Sequence, residues 1–265
     1  METKLAQLKS LLKGLGSVLV AYSGGVDSAL LIDVAHEVLG DRALAVTAFS
    51  PVRPASETAQ AESLVRQMGI HHILIETNEL NDPSFVANDP QRCYYCKRGL
   101  LNQSKRIAAE EGLSWVVDGT NYDDLSDYRP GRRAAEEFGV RSPLMEAGLT
   151  KADIRHLAKS RGLPNWDKPP NPCLASRIPY GTPITAKLLG RISKAEESLA
   201  KLGLSQFRVR HHGDIARIEV SPDDMALLTD GKIRLQVVEE LRALGYRYVT
   251  LDLAGYRQGS MNEVL

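Results

Sequence analysis

The sequence predicts an α/β fold: a mostly parallel, doubly wound sheet, with a smaller C-terminal α+β domain behind it. Two observations predict this. From Ser17 to Arg161, short β-branched apolar runs alternate with segments of helical period, and after a proline-rich stretch the order of elements changes. An opening helix places Leu5, Leu8, Leu12 and Leu15 on one face. Ser17–Tyr22 reads as a strand, Ala29–Leu39 as a helix, Leu44–Phe49 as a strand, and Ser56–Met68 as a helix stopped by Gly69. His72–Ile75 is the third strand, Lys97–Glu111 a helix ending at Gly112, Trp115–Asp118 the fourth strand, and Lys151–Arg161 a helix stopped at Gly162. Ligands of such sheets bind beyond the carboxyl ends of the strands.

Pro164, Pro169, Pro170, Pro172, Pro179 and Pro183 crowd one stretch and preclude a regular helix or central strand there. Because that stretch also carries Cys173, Ser176 and Arg177, it reads as a functional loop at a domain junction. The expected division is 1–178 and 179–265. The second part contains a helix over Ala186–Leu202, two strands around His212-Gly213-Asp214, a helical region over Pro222–Leu244 and a strand over Arg247–Leu253.

At 265 residues, 43% hydrophobic and 25% charged, the chain has the composition of a folded, soluble protein rather than a disordered one. Lys+Arg and Asp+Glu are both 33, so no global positive field exists to attract a nucleic acid, and no nucleic-acid partner is expected. The longest apolar runs, such as Val18–Tyr22, fall far short of the roughly 20 residues of a membrane helix. The charged N-terminus lacks the apolar block of a signal peptide. A cytoplasmic protein without a membrane partner is expected. Its cysteines, Cys93, Cys96 and Cys173, are odd in number and therefore read as redox, zinc or iron–sulfur chemistry rather than a disulfide framework.

Val18–Tyr22 runs straight into Ser23-Gly24-Gly25-Val26-Asp27-Ser28, and a helix follows. Exposed N–H groups and the positive end of the dipole at such a helix start hold an anion. Gly24 and Gly25 let the backbone approach phosphate oxygens; Ser23 and Ser28 supply hydroxyls, and Asp27 can orient Mg2+ or its water shell. No Walker motif is present, and Gly14-Leu-Gly16 precedes the strand instead of following it, so the dinucleotide fingerprint fails too.

Ser23–Ser28 resembles the S-G-G-x-D-S signature of the PP-loop ATP pyrophosphatase superfamily. The resemblance implies an adenine-nucleotide alpha-hydrolase-like sheet, binding of ATP with Mg2+, transfer of AMP to a substrate oxygen and release of pyrophosphate. It places Ser23, Gly24, Gly25, Asp27 and Ser28 at the nucleotide, with Asp27 and Ser28 serving catalysis. Asp118-Gly119-Thr120-Asn121 with Asp123 and Asp124 resembles the superfamily's D-G-T-N loop, which adds Gly119 and Asn121 to the ATP site.

Cys93-Tyr94-Tyr95-Cys96-Lys97 falls at an expected helix start, whereas Cys173 lies in the proline loop. Helix position and Arg92, Lys97 and Arg177 favour thiolates. Three thiolates do not close a tetrahedral zinc site, and the histidines show no ligand spacing with them. Three cysteines suit a 4Fe-4S cluster with one open iron; a persulfide or disulfide relay, zinc and plain packing are the other readings. Beside an adenylating loop, the cysteines imply sulfur transfer: AMP makes a carboxylate oxygen a leaving group that a sulfur nucleophile displaces.

The phosphate loop, Asp118–Asp124, Asp127-Tyr-Arg-Pro-Gly-Arg132 and Pro172-Cys-Leu-Ala-Ser-Arg-Ile-Pro-Tyr-Gly181 together resemble one family across nearly the whole chain. It comprises the ATP-dependent sulfur insertases that build the nickel-pincer nucleotide cofactor of lactate racemase. The resemblance implies a pyridinium dicarboxylic acid mononucleotide as substrate, a sulfide source or sulfur donor, and a homo-oligomer, a hexamer in the family. Some members carry only the cysteine matching Cys173 and sacrifice its sulfur, leaving dehydroalanine. The added Cys93 and Cys96 favour instead a cluster-mediated route with Cys93, Cys96 and Cys173 as metal ligands and Cys173 catalytic.

In Gln206–His211 the apolar Phe207 and Val209 alternate with Arg208 and Arg210, and strand period puts both arginines on one face. Arg217 and Glu219 share a face of the returning strand. This is either a solvated amphipathic sheet or a grip for a phosphate. The resemblance favours the second use, with Arg208, Arg210, Glu219 and Arg177 at the phosphate of a mononucleotide substrate. Two other functions compete. A tRNA thiolase of the same superfamily is opposed by the zero net charge, and a non-catalytic ATP-binding iron–sulfur protein would release no pyrophosphate.

Overall fold

The computed structural model describes residues 2–126, 130–204, 206–257 and 259–263. Its strands are β1 (Val18–Ala21), β2 (Ala43–Phe49), β3 (His72–Glu76), β4 (Trp115–Asp118), β5 (Phe207–His212), β6 (Ile215–Val220) and β7 (Tyr248–Leu251). The helices begin with α1 (Glu2–Leu15), α2 (Val26–Leu39), α3 (Ala55–Gln67), α4 (Pro83–Val86), α5 (Arg92–Glu110) and α6 (Pro130–Glu137). They continue with α7 (Pro143–Glu146), α8 (Lys151–Ser160), α9 (Ala186–Ala200), α10 (Met225–Thr229) and α11 (Gly231–Ala243).

The chain forms two compact units: Met1–Glu79 with Gln91–Pro170, and Leu80–Pro90 with Asn171–Leu265. In the first, four parallel strands lie in the order β3-β2-β1-β4, with Leu19 level with Leu44 and Val116. β1 is apolar without a break because both its faces are covered. Val18 and Val20 pack with Leu8, Leu12, Leu30 and Ile154 of α1, α2 and α8, whereas Leu19 packs with Leu101, Ile107 and Ala134 of α5 and α6. This is the doubly wound parallel sheet that the sequence predicts.

The second unit is a mixed sheet in the order β5-β6-β7, with β5–β6 antiparallel and β6–β7 parallel. Its core joins Ala195 and Leu199 of α9 and Val237 and Leu241 of α11 to Val209, Ala216, Ile218 and Val220. The helical region expected over Pro222–Leu244 is interrupted at Asp230, whose carboxylate accepts from Lys232 N at 3.1 Å and Ile233 N at 3.3 Å and so starts α11 afresh.

Two features differ from the sequence expectation. Residues 171–178 group with the second unit, because Arg177 binds Glu196 of α9. The segment Leu80–Pro90 also joins that unit. There the buried Asn88, at φ 56, donates its amide to Pro179 O at 2.8 Å and Thr182 O at 2.9 Å, and Gly181 N donates to Asn88 O at 3.0 Å. Asparagine tolerates this left-handed conformation better than other side chains because it bonds locally. No described helix is long and apolar enough to cross a membrane.

Candidate active site

β1 ends at the phosphate loop. Tyr22 N extends the ladder by donating to Val46 O at 2.8 Å, and the chain then turns through Ser23-Gly24-Gly25 into α2. Gly24 takes φ +76, and a Cβ there would stand 2.7 Å from Ala61 Cβ, so both conformation and space require glycine. Ser28 Oγ accepts from Ser23 N and donates to Gly25 O, both at 3.1 Å, while Ser23 Oγ lies 3.1 Å away. No side chain caps α2, which leaves its start open to an anion. Asn165 Nδ2 steadies the turn from outside by donating to Gly24 O at 3.0 Å. Behind it, Thr47 Oγ1 donates to Tyr22 O, so His72 Nε2, 2.8 Å from that hydroxyl, must be its donor. Burial lowers the pKa of His72, in keeping with that neutral tautomer.

The loop after β4 closes on the phosphate loop. A Cβ at Gly119 would lie 2.9 Å from Ser28 N, so this glycine is what allows the approach. Asp118, buried at the end of β4, meets Lys97 Nζ at 2.5 Å through Oδ2 and accepts from Ser142 Oγ at 2.7 Å and Thr120 N at 3.2 Å through Oδ1. Burial opposes its charge, but Lys97 and these donors outweigh burial and hold the carboxyl below the usual range. Asn121 works within the loop: its Oδ1 accepts from Asp123 N, and its N–H reaches Asp124 Oδ2.

Lys151 is a residue that motif reading passes over. Its N–H donates to Asp123 Oδ2 at 2.8 Å, and its Nζ lies 2.5 Å from Asp27 Oδ2. The other oxygen, Asp27 Oδ1, is buried without a hydrogen-bond partner among the described residues. A signal for Lys151 is present in the sequence: a lysine in the first position of a helix sits at the end whose dipole disfavours a cation. It needs a counter-charge, and Asp27 provides one.

Cys93 is exposed and Cys96 half-buried on the first turn of α5, which begins at Arg92 rather than at the expected Lys97. Cys96 Sγ lies 3.8 Å from Glu79 Oε1, which also accepts from Thr77 Oγ1 at 2.9 Å. Cys173 is half-buried in the second unit, just before a 3-10 turn over Leu174–Arg177. Among the described residues, no group of three or more His, Cys, Asp or Glu side chains stands arranged to hold a metal ion. Asp127, Tyr128 and Arg129 of the arginine-rich motif lie outside the described residues.

On the sheet of the second unit, Arg208 is level with Glu219 and Arg210 with Arg217, so the charges do share a face. His212 continues that face, a residue that the sequence reading omits although its period matches. Arg210 donates to Glu219 Oε2 from Nε at 3.0 Å and Nη2 at 2.7 Å, and Arg217 Nη2 reaches Glu219 Oε1 at 2.9 Å. Burial lowers the pKa of Arg208, with the nearby charge of Arg177 adding to the effect.

Arg177 requires a correction. Its side chain is 0% exposed, and every nitrogen faces a protein acceptor: Glu196 from Nε and Nη2, Asn171 from Nη2, and Pro172 O, Cys173 O and Ser176 Oγ from Nη1. With its donors committed, it shapes the Cys173 loop and offers a phosphate nothing.

No family model matches the chain. It is 44% identical over 265 residues to an uncharacterized protein of Synechocystis sp., covering 100% of this chain and 99% of that one. It is 41% identical over 267 residues to pyridinium-3,5-bisthiocarboxylic acid mononucleotide synthase of Lactiplantibacillus plantarum, covering 99% of this chain and 95% of the relative. A component of the glutamine-hydrolyzing GMP synthase of Archaeoglobus fulgidus is 26% identical over 197 residues, 70% of this chain and 62% of its own.

Proposed function

The chain belongs to the ATP-dependent sulfurtransferase family of pyridinium-3,5-bisthiocarboxylic acid mononucleotide synthase, within the PP-loop ATP pyrophosphatases, and on that premise we propose its reaction. It adenylates the carboxylates of a pyridinium dicarboxylic acid mononucleotide and converts them to thiocarboxylates. The observation that carries this reading is the phosphate loop, with an uncapped helix start, two glycines at close approach and Asp27 facing Lys151.

A substrate carboxylate oxygen attacks the α-phosphorus of ATP, the bond to the bridging oxygen breaks, and pyrophosphate leaves. The first N–H groups of α2 and the Ser23 and Ser28 hydroxyls hold the phosphates. The unpartnered Asp27 Oδ1 fits a hard cation, so Asp27 would hold Mg2+, which supplies charge neutralisation to the phosphates. Lys151 then exchanges Asp27 for the pyrophosphate. A sulfur nucleophile next adds to the acyl adenylate, and AMP departs with the carbonyl C–O bond pair.

For the sulfur, we assign Cys93, Cys96 and Cys173 as ligands of a 4Fe-4S cluster. Such a cluster, when bound, supplies a transferable sulfide at the iron that lacks a protein ligand. The thiol set fits in kind, three cysteines, and two of them share one helical turn. The nucleotide's phosphate goes to Arg208 and Arg210, the substrate partner is a small molecule, and an external sulfur donor reloads the protein. Assembly as a homo-oligomer in the cytoplasm completes the reading.

The test is to incubate protein, purified without oxygen, with MgATP and the dicarboxylate mononucleotide. Pyrophosphate release together with exchange of substrate oxygen for sulfur, read by mass spectrometry, is the expected result. Absence of both from folded, iron-loaded protein would overturn the proposal.

A further inference from the structure

The peptide that joins Gly24 to Gly25 in the phosphate loop presents its two ends to different surroundings. Its N–H, on Gly25, donates to Ser23 Oγ at 3.4 Å, on the side where the Ser23 and Ser28 hydroxyls meet. Its carbonyl, on Gly24, points away and accepts from Asn165 Nδ2 at 3.0 Å. Among the described residues no other donor reaches Gly24 O. The groups on either side are fixed within the loop. Ser23 N donates to Ser28 Oγ, and Gly25 O accepts from Ala29 N at 2.9 Å and from Ser28 Oγ at 3.1 Å.

A peptide between two glycines can turn over as a unit, because neither residue carries a Cβ that forbids the other orientation. Turning it takes Gly25 from φ −76 to positive φ, a region that glycine enters freely. It also replaces the N–H on the hydroxyl side by a carbonyl oxygen, which repels an anion where the N–H attracts one. The glycines thus allow two orientations, of which one offers a phosphate a donor.

Asn165 is itself held on a firm support. Trp166 N donates to Leu163 O at 3.2 Å and Lys168 N to Asn165 O at 3.1 Å. The Trp166 ring packs against the first core, with Lys159 Nζ 4.4 Å from its centre. Lys168 Nζ reaches Glu57 Oε2 at 2.7 Å and Gln60 Oε1 at 3.1 Å on α3, beside the Ala61 that backs Gly24. As a stabilising device, however, the Asn165 amide is poor: its Oδ1 is buried without a hydrogen-bond partner among the described residues, a cost set against its one bond to Gly24.

We infer that Asn165 is a positioning residue for the nucleotide, selecting the orientation of the Gly24–Gly25 peptide that accepts a phosphate. It acts through the Gly24 carbonyl: by drawing that oxygen outward it keeps the Gly25 N–H turned toward the hydroxyls. This rests on the reading of Ser23–Ser28 as the phosphate loop. Without the amide donor, apparent affinity for a polyphosphate falls by the fraction of molecules whose peptide is turned over.

The experiment titrates the whole chain with Mg2+ and α,β-methylene ATP, whose scissile bond cannot break, in a calorimeter. Asn165→Ala, which removes the donor, should bind about fivefold more weakly than the unaltered chain. Asn165→Asp has the same shape but sets an acceptor against the Gly24 carbonyl, so it should bind roughly twentyfold or more weakly. A residue that only fills space gives the reverse order, with the isosteric Asp above Ala. The crystal structure of nucleotide-free Asn165→Asp should show the Gly24–Gly25 peptide turned over within an otherwise unchanged loop. Affinities equal to the unaltered chain, Asp binding as well as Ala or better, or an unturned peptide in Asn165→Asp would each overturn the inference and leave the phosphate loop standing. If the unaltered chain does not bind the analogue, the nucleotide reading itself fails and the role of Asn165 falls with it. Should Asn165→Asp not fold, Asn165→Ala decides: its loss of affinity with the peptide found in both orientations supports the inference, and full affinity or a single unturned peptide overturns it.

Discussion

Lys151 Nζ stands 2.5 Å from Asp27 Oδ2, joining the first residue of α8 to the one acidic residue of the phosphate loop. The loop itself carries no cation, and this lysine sets a positive charge beside it for an arriving polyphosphate. Asp27→Asn should abolish pyrophosphate release, by roughly a hundredfold or more, in a protein that keeps its fold. Lys151→Ala should lower the same rate about ten- to a hundredfold, the worth of a charge-assisted contact of ~1.5–3 kcal/mol. Near-normal pyrophosphate production by either folded variant would remove that residue from the nucleotide site.

The cysteines separate two chemistries. Changing Cys93, Cys96 or Cys173 to Ala should each remove iron and sulfide from protein purified without oxygen, and stop sulfur transfer while pyrophosphate release continues. Sacrifice of Cys173 alone forecasts otherwise. Cys93→Ala and Cys96→Ala would then complete one turnover, and spent protein would be lighter by one molecule of hydrogen sulfide. Intact-mass measurement of the three variants distinguishes them.

Arg177 and Arg208 should behave as opposites. Arg177→Ala leaves Glu196 facing a vacancy in a buried setting, which costs about 3–5 kcal/mol of stability in a denaturant titration. Arg208→Ala should instead weaken binding of a phosphorylated substrate roughly tenfold and spare ATP. Equal losses of stability in both would reduce the sheet face to a structural ion cluster.

Acid should weaken the fold through its histidines. His211, buried against Tyr246, has its pKa lowered first by burial and then by the charges of Arg191 and His212, with Asp214 opposing. His72 and His212 are lowered as well, chiefly by burial. A histidine with a depressed folded pKa binds its proton more readily when unfolded. Stability is therefore full above the unfolded value of about 6.5 and falls as pH drops toward the folded values. Urea titrations near pH 8 and pH 5.5 should show this loss, and His211→Gln should flatten it. A steeper loss in the variant would contradict the assignment.

What can be read from the chain alone is whatever is local. The four parallel strands, their helices and the phosphate loop follow from period and glycine placement, signals contained within a few residues. Arg177 is misplaced at a phosphate because sequence shows a cation but not its acceptors, and Glu196 lies 19 residues away. Lys151 escapes notice for the same reason, its partner being 124 residues distant. His212 needs only the strand period to be carried one step further.

Asn88 and its neighbours bear on the order in which the molecule can be made. A ribosome that has reached Pro170 has released every strand of the first sheet, yet the segment from Leu80 to Pro90 still lacks the turn that accepts the Asn88 amide. The carbonyls of Val86 and Asn88 likewise wait in the nascent chain for the N–H groups of Ile184 and Gly181 to emerge. Cutting the gene at residue 171 would likewise give a second half without Phe85 and Asn88, so the two pieces of the second unit have to be translated as one chain or supplied to each other.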